Sequence, residues 1–230
     1  MFRLSDPIRF PKQMMAVSLV AAPALLLLAF ALHPDEVRTD KAEQLAVVGA
    51  TSTRFYWAHL IALAGLALFV PATLGLMRVL HRRSTRLAHI GAIAAFVGIP
   101  ATTAAVTMAI VEWMMATQPS GDRAAMAALL ARLNEDNGVV LPFFLPGSLL
   151  LVGLVLFGIG LYRTRIVPRT AAALVIVGPV AWQLGFVVGG ERAIVVGVGA
   201  LTLGLGTVAR RILSDAYDTE SAIEPQPAAV

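Results

Sequence analysis

Long runs of apolar residues alternate along this chain with short polar segments rich in arginine. A helix needs roughly 20 apolar residues to cross a bilayer, and each of the long runs comes close to or exceeds that length. We predict membrane-spanning helices over about 14–32, 55–80, 87–117, 139–161, 170–189 and 193–208. The pattern therefore predicts an all-α fold, a polytopic transmembrane bundle of six helices.

The arginines between the apolar runs predict how the bundle is oriented. The segment between the fourth and fifth runs holds Arg163, Arg165 and Arg169 and no acidic residue, and the segment after the second run holds Arg82 and Arg83. Positive residues concentrate in cytoplasmic loops. If both segments are cytoplasmic, 12 of the 18 Lys and Arg lie inside with only 5 of the 14 acids. We predict a multi-pass membrane protein with both termini in the cytoplasm.

The first external loop contains the pattern of a short amphipathic helix. Asp40 followed by Glu43 is typical of a helix N-terminus, because both side chains can accept or balance the free backbone N–H groups there. We expect this helix to run through Ala50. Its apolar residues are expected to rest on the membrane surface; they are Leu45, Val47 and Val48.

A second external helix is predicted in the loop 118–137. Ser120 or Asp122 can cap it, and four apolar residues follow at helical spacing along one face: Met126, Leu129, Leu130 and Leu133. Trp57 begins the second span and Trp113 lies close to the end of the third. Both positions are typical of the aromatic belt at a membrane interface.

Composition supports a chain that is almost entirely embedded. It is 58% hydrophobic and 14% charged, whereas soluble domains have about 25% charged residues. Mean hydropathy is +0.78. The net charge of +4 does not indicate nucleic-acid binding, because the basic residues stand at the ends of apolar runs. We divide the chain into a cytoplasmic segment 1–13, a transmembrane domain 14–212 and a disordered cytoplasmic tail 213–230.

The first span allows two interpretations. Its basic start, its apolar stretch and the small residues at Ala29–Ala31 are similar to a cleaved signal peptide. The apolar run is longer than the core of a usual signal peptide, so we predict that the helix is retained.

The segment Arg163–Arg169 combines arginines, an aliphatic pair and Pro-Arg between two glycine-bearing apolar runs. Together with Leu74–Arg78 and Arg86–His89, it resembles a bacterial family of six-helix membrane proteins that is common in actinobacteria and catalogued as domain of unknown function 4386. The resemblance implies a location in the bacterial plasma membrane. The resemblance covers roughly residues 14–212. It implies the fold, and it brings no activity, cofactor or catalytic residue with it.

Polar residues within the spans lie towards the predicted outer ends. His33, His59, Glu112 and Gln183 are expected to approach one another there. Two imidazoles and a carboxylate can bind a metal such as zinc, so His33, His59 and Glu112 are candidate ligands. The alternative is that each contacts only water, lipid headgroups or a nearby arginine. His81 and His89 lie at the other end, and the last three spans lack histidine, so haem held between facing helices is not expected.

The middle of each predicted span lacks charged residues, which argues against proton-coupled transport. Prolines occur in five spans and favour kinks. Our leading hypothesis is a non-enzymatic protein without a cofactor, which binds an apolar or amphiphilic molecule, or a membrane partner, under the external helices. A small-solute permease and an outer-leaflet metal-dependent enzyme are the alternatives. The glycines of the last span allow two interpretations: they pack against another helix of the bundle, or they form the contact of a homodimer.

Overall fold

The computed structural model describes residues 9–34, 40–119, 122–188 and 190–214, and these residues are almost entirely helical. In chain order the elements are α1 Arg9–Leu32, α2 Lys41–Ala50, α3 Ser52–Leu80, α4 Thr85–Thr117, α5 Arg123–Glu135, the single turn α6 Asn137–Val139, a π-helical turn Val140–Phe144, α7 Leu145–Thr164, α8 Arg169–Val188 and α9 Glu191–Leu213. Within the described ranges, six helices are long and apolar enough to cross a membrane. The predicted all-α bundle with two short additional helices is confirmed.

The six long helices form a closed ring. Each packs against its neighbour in the chain, in the order α1, α3, α4, α7, α8 and α9, and α9 packs back onto α1. Successive long helices run in opposite directions, so the α3–α4 and α7–α8 turns lie at one end of the ring. We call this the basic end, because Arg82, Arg83, Arg163, Arg165 and Arg169 belong to it. The opposite end carries α2 and α5, and we call it the lid end.

Aspartates begin both lid helices. Oδ1 of Asp40 accepts the backbone N–H groups of Ala42 and Glu43, at 2.8 and 3.1 Å. Oδ1 of Asp122 does the same for Ala124 and Ala125, at 2.9 and 3.2 Å. Each aspartate thereby satisfies N–H groups that have no partner within the helix. The capping predicted from the sequence is confirmed for both helices, whereas Ser120 lies outside the described residues.

Glycines bring α4 and α7 into close contact. A methyl group placed on Gly98 would lie only 2.0 Å from the backbone nitrogen of Leu150, and one on Gly153 would lie 2.6 Å from the carbonyl oxygen of Gly91. The same arrangement joins α8 to α9, where Gly178 and Gly197 face each other. Such contacts matter in a membrane protein, because apolar burial gives little driving force between helices surrounded by lipid.

The interior of the basic end is filled with large side chains. Phe69, Leu76, Leu80, Phe157 and Leu161 are all fully buried there. The Leu80 side chain reaches across the ring from α3 and contacts α7 at Gly160, where a methyl group would lie 3.0 Å from it. This direct α3–α7 contact closes the centre of the ring.

The excess length of α4 supports the lid. Its 33 residues exceed what a bilayer requires, and its last turn reaches α2, where a methyl group on Gly49 would lie 3.2 Å from the carbonyl oxygen of Ala116. Leu45 and Val48 of α2 are 6% and 0% exposed, so they pack against the protein. The expectation that they rest on the membrane surface is therefore wrong. Of the predicted face of α5, Leu130 is buried but Leu129 is 44% exposed.

The tail beyond residue 214 and residues 1–8 lie outside the described residues, so the predicted disorder of the tail stays a prediction. Helix α1 packs against α3 and α9 and closes the ring. Its retention in the mature protein stays a prediction as well.

Candidate functional site

A cavity of about 560 Å3 occupies the centre of the ring at the lid end. All six long helices contribute to its wall, through Leu66, Val106, Leu151 and other residues that lie near the lid end of each helix. Lys41 and Gln44 of α2 and Leu130 and Leu133 of α5 line it as well. The volume falls within the range of about 300–1,000 Å3 that small-molecule sites occupy.

Most of the cavity wall is apolar. Leu26, Ala62, Leu66, Val106 and Ile194 are among the residues that line it. On one side an aromatic group adds to this surface: the ring of Phe30 meets that of Trp182 edge-to-face at 5.8 Å and that of Phe186 at 6.1 Å between centroids. Such a surface is suited to hydrocarbon rather than to a hydrated solute.

A buried polar cluster joins the lid to the bundle. Nε2 of Gln44 in α2 donates to Oε1 of Glu112 in α4 at 2.6 Å, and Nζ of Lys41 donates to Oε1 of Gln44 at 3.0 Å. Gln44 is 5% exposed and Glu112 is 8% exposed. A hydrogen bond to a buried carboxylate is stronger than one between neutral groups. This cluster fixes the position of α2 above the cavity.

Two histidines also line the cavity. The rings of His33 and His59 lie 5.1 Å apart between centroids. Nδ1 of His59 lies 2.8 Å from the carbonyl oxygen of Phe55, and Nδ1 of His33 lies 3.0 Å from that of Pro34. A carbonyl oxygen only accepts, so each Nδ1 is the donor in its hydrogen bond.

Arg54 connects the two helices that carry these histidines. Its guanidinium donates from Nε to the carbonyl oxygen of Leu32 and from Nη2 to that of His33 at 2.9 Å. Both acceptors lie at the C-terminus of α1, where backbone carbonyl groups have no partner within the helix. Arg54 therefore holds the end of α1 against the start of α3.

The sequence predicted that His33, His59, Glu112 and Gln183 approach one another, and the structure places all four on the wall of this cavity. It does not bring them together as metal ligands. Within residues 9–34, 40–119, 122–188 and 190–214, no three His, Asp or Glu side chains are arranged to hold one metal ion. The described residues thus give His33, His59 and Glu112 no metal-binding geometry.

The remaining predicted positions lie at the two ends of the bundle. Trp57 is exposed and Trp113 packs on Tyr56 with 4.9 Å between ring centroids, both at the lid end. His81 and His89 lie at the basic end with their rings 5.3 Å apart. There the guanidinium of Arg169 lies 5.4 Å from the ring centre of Tyr162.

Sequence reasoning missed Gln44 and Lys41 as residues of the site. Gln44 is separated from Glu112 by 68 positions, and no spacing rule connects residues so far apart. The signal that could have found them is Glu112 itself. A carboxyl group close to the end of an apolar span needs a polar partner, and a neighbouring external helix can supply one.

The cavity, its polar cluster and the ring around it belong to a part of the chain that can be compared with known proteins. No curated protein and no solved structure matches the sequence. The model of one family, described as a domain of unknown function, DUF4386, matches residues 14–210. This range includes most of the first and last long helices, the whole of the other four and all of the cavity residues, and the chain is therefore a member of the DUF4386 family.

Proposed function

We propose that this multi-pass membrane protein binds an apolar or amphiphilic molecule in the cavity at the lid end, without a chemical step. The cavity itself is the observation that carries the proposal: about 560 Å3, mostly apolar, surrounded by all six spans and covered by α2 and α5. At about 30 Å3 for each group the size of a water molecule, this volume holds on the order of 20 heavy atoms. A molecule with one hydrocarbon chain and a small headgroup fits that size.

The volume favours a small molecule over a partner helix as the occupant. A helix is about 10 Å across and rises 5.4 Å per turn, so two turns take roughly 800 Å3. That exceeds the space enclosed by the ring. Gln44 and Glu112 form a hydrogen-bonded polar pair in the cavity wall, which suits a ligand that also has a polar headgroup.

Permeation is less well supported than binding. A permease for small polar solutes needs a polar path through the whole bundle, whereas Leu76, Leu80 and Phe157 fill the interior towards the basic end. The arginines of the basic end favour a cytoplasmic position for it. In our proposal the lid end therefore faces the outside, and the ligand comes from the outer leaflet of the plasma membrane.

Lipid extraction followed by mass spectrometry tests this function. The purified wild-type protein is expected to carry about one apolar or amphiphilic molecule per chain. Ala62→Trp places an indole in the cavity that Ala62 lines, and we expect it to remove most of that molecule. Ala64→Trp is the matched control, because Ala64 is exposed on the same helix. A wild-type protein without a bound molecule, or equal amounts in both variants, would contradict the proposal.

A further inference from the structure

A second, shallow space lies on the outer surface of the ring beside the cavity. It is a cleft formed by Val70 of α3 and residues of α4 that include Pro100, Thr103 and Thr107. Both helices are membrane spans, and α4 is the least buried of the six that the structure describes. The cleft therefore faces the acyl chains of the bilayer.

Met108 lines both spaces. It belongs to the wall of the cavity and to the wall of the cleft, so the two spaces share this residue. Methionine is unbranched and has three rotatable bonds, which lets it move aside more easily than a β-branched or aromatic residue. The residue common to both walls is thus an adaptable one.

The cleft offers a surface that hydrocarbon can contact at low cost. The hydroxyl of Thr103 donates to the carbonyl oxygen of Ile99 and that of Thr107 to the carbonyl oxygen of Thr103, each at 2.8 Å. These donors are satisfied within α4, so an acyl chain in the cleft would not leave them unpaired. Towards the lid end, the rings of Tyr56 and Trp113 contact each other at a tilt and join α3 to α4 beyond the cleft.

We infer that the ligand reaches the cavity sideways from the bilayer, between α3 and α4, by displacing Met108. The inference rests on the proposed function, because it concerns how the same cavity is filled. The occupant of the cleft is an acyl chain of the leaflet in which the lid end lies. A route from water through the lid is the competing outcome.

Trp182 provides a suitable reporter. It is buried, it lines the cavity, and α8 stands opposite α3 in the ring. A probe in the cleft cannot touch it without entering the cavity. Replacing Trp57 and Trp113 with phenylalanine leaves Trp182 as the fluorophore. The probe is a brominated stearic acid added to phosphatidylcholine vesicles that contain the protein, since bromine quenches indole fluorescence on contact.

The test compares the rate of quenching with its final extent. The chain contains no cysteine, so Thr107→Cys can be modified selectively with a bulky maleimide after folding. Thr107 lines the cleft and not the cavity. We expect the modified protein to be quenched at least tenfold more slowly than the unmodified one, to the same final extent. Val196→Cys, which is exposed on α9, is the control and should show no change in rate.

Two results separate failure of the inference from failure of the proposed function. Quenching of Trp182 at an unchanged rate after modification of Thr107→Cys would overturn lateral entry and leave binding intact. If Trp182 is not quenched in the unmodified protein that retains it as the only tryptophan, the result would count against binding itself, and against the inference with it. Slower quenching with a smaller final extent would also overturn the inference, because it would show damage to the cavity rather than a blocked route.

Discussion

The lid end and the basic end are built from the same six helices, yet one is hollow and the other is solid. At the basic end, Leu80 crosses the ring to contact Gly160, and Phe157 and Leu161 fill the remaining space. At the lid end, the positions that face inwards include alanines such as Ala62 and Ala105, and a cavity of about 560 Å3 remains. Residue size at inward positions, rather than apolar character, thus separates a structural core from a binding site.

The polar residues follow the same division. Glu112, Gln44, His33 and His59 line the hollow end, whereas the described charged side chains of the basic end are arginines and lysine near the helix ends. Orientation in the membrane is set by the second group. The polar residues of the lid end do not have this role. Because they line the cavity, the cavity is where we look for the function of the protein.

The largest effect is expected where the two ends meet, at the contact between α4 and α7. Gly98→Ala places a methyl group 2.0 Å from the backbone nitrogen of Leu150, and backbone cannot rotate away as a side chain can. We expect a loss of about 3 kcal/mol in the free energy of unfolding, measured by thermal unfolding in detergent. Gly206→Ala is the control, because nothing lies within 4 Å of the added methyl group. Equal stability of both variants would show that α4 and α7 are not in close contact.

A smaller effect should distinguish the solid end from the hollow one. Leu80 is fully buried, whereas Leu133 borders the cavity. Leu80→Ala removes packing contacts and creates a void. We expect the free energy of unfolding to fall by about 2 kcal/mol. This is the lower end of the range for such changes, because lipid also solvates leucine. Leu133→Ala should cost less than about 1 kcal/mol, since it enlarges an existing space. The same thermal unfolding assay applies, and equal losses would mean that the lid end is packed like the basic end.

The third effect is local to the lid and is expected to change global stability least. Glu112→Leu removes the acceptor of the Gln44 amide, and loss of a buried hydrogen bond to a carboxylate costs about 2 kcal/mol locally. We expect amide hydrogens of α2 to exchange about 30-fold faster, while global stability changes little. Glu135→Leu, at the exposed end of α5, is the control. Unchanged exchange in α2 would show that the cluster does not hold the lid.

Local features were predictable from the sequence because they depend on neighbouring residues. The N-cap at Asp40 and the end of its helix at Ala50 follow from a few consecutive positions. The spans follow from hydropathy alone, and the structure extends the last one to Leu213, beyond the predicted end at 208, because Arg210 and Arg211 continue the helix past the apolar run.

Features that depend on contacts between helices were not predictable in the same way. Periodicity grouped Leu129 with Leu130, but only Leu130 faces the bundle. Leu45 and Val48 were likewise predicted to lie on the membrane surface, although α4 and α5 pack against α2. The pattern shows that a face is apolar, and whether protein or lipid covers it depends on where the other helices lie.

The glycines of α9 illustrate the same limit. The sequence left open whether they pack within the bundle or against a second copy. Gly197 and Gly204 face α8, whereas Gly199 and Gly206 have nothing within 4 Å of an added methyl group. Intramolecular packing thus accounts for two of these four glycines, and homodimerisation stays a prediction that would rest on the other two.

An experimental structure of the protein in a lipid nanodisc would test the central claim most directly. We expect elongated density for a bound ligand inside the lid end, in contact with Leu66, Val106 and Trp182, and a basic end that is filled by protein side chains. A lid end in which the helices close together and the side chains fill the space, with no density between them, would contradict it.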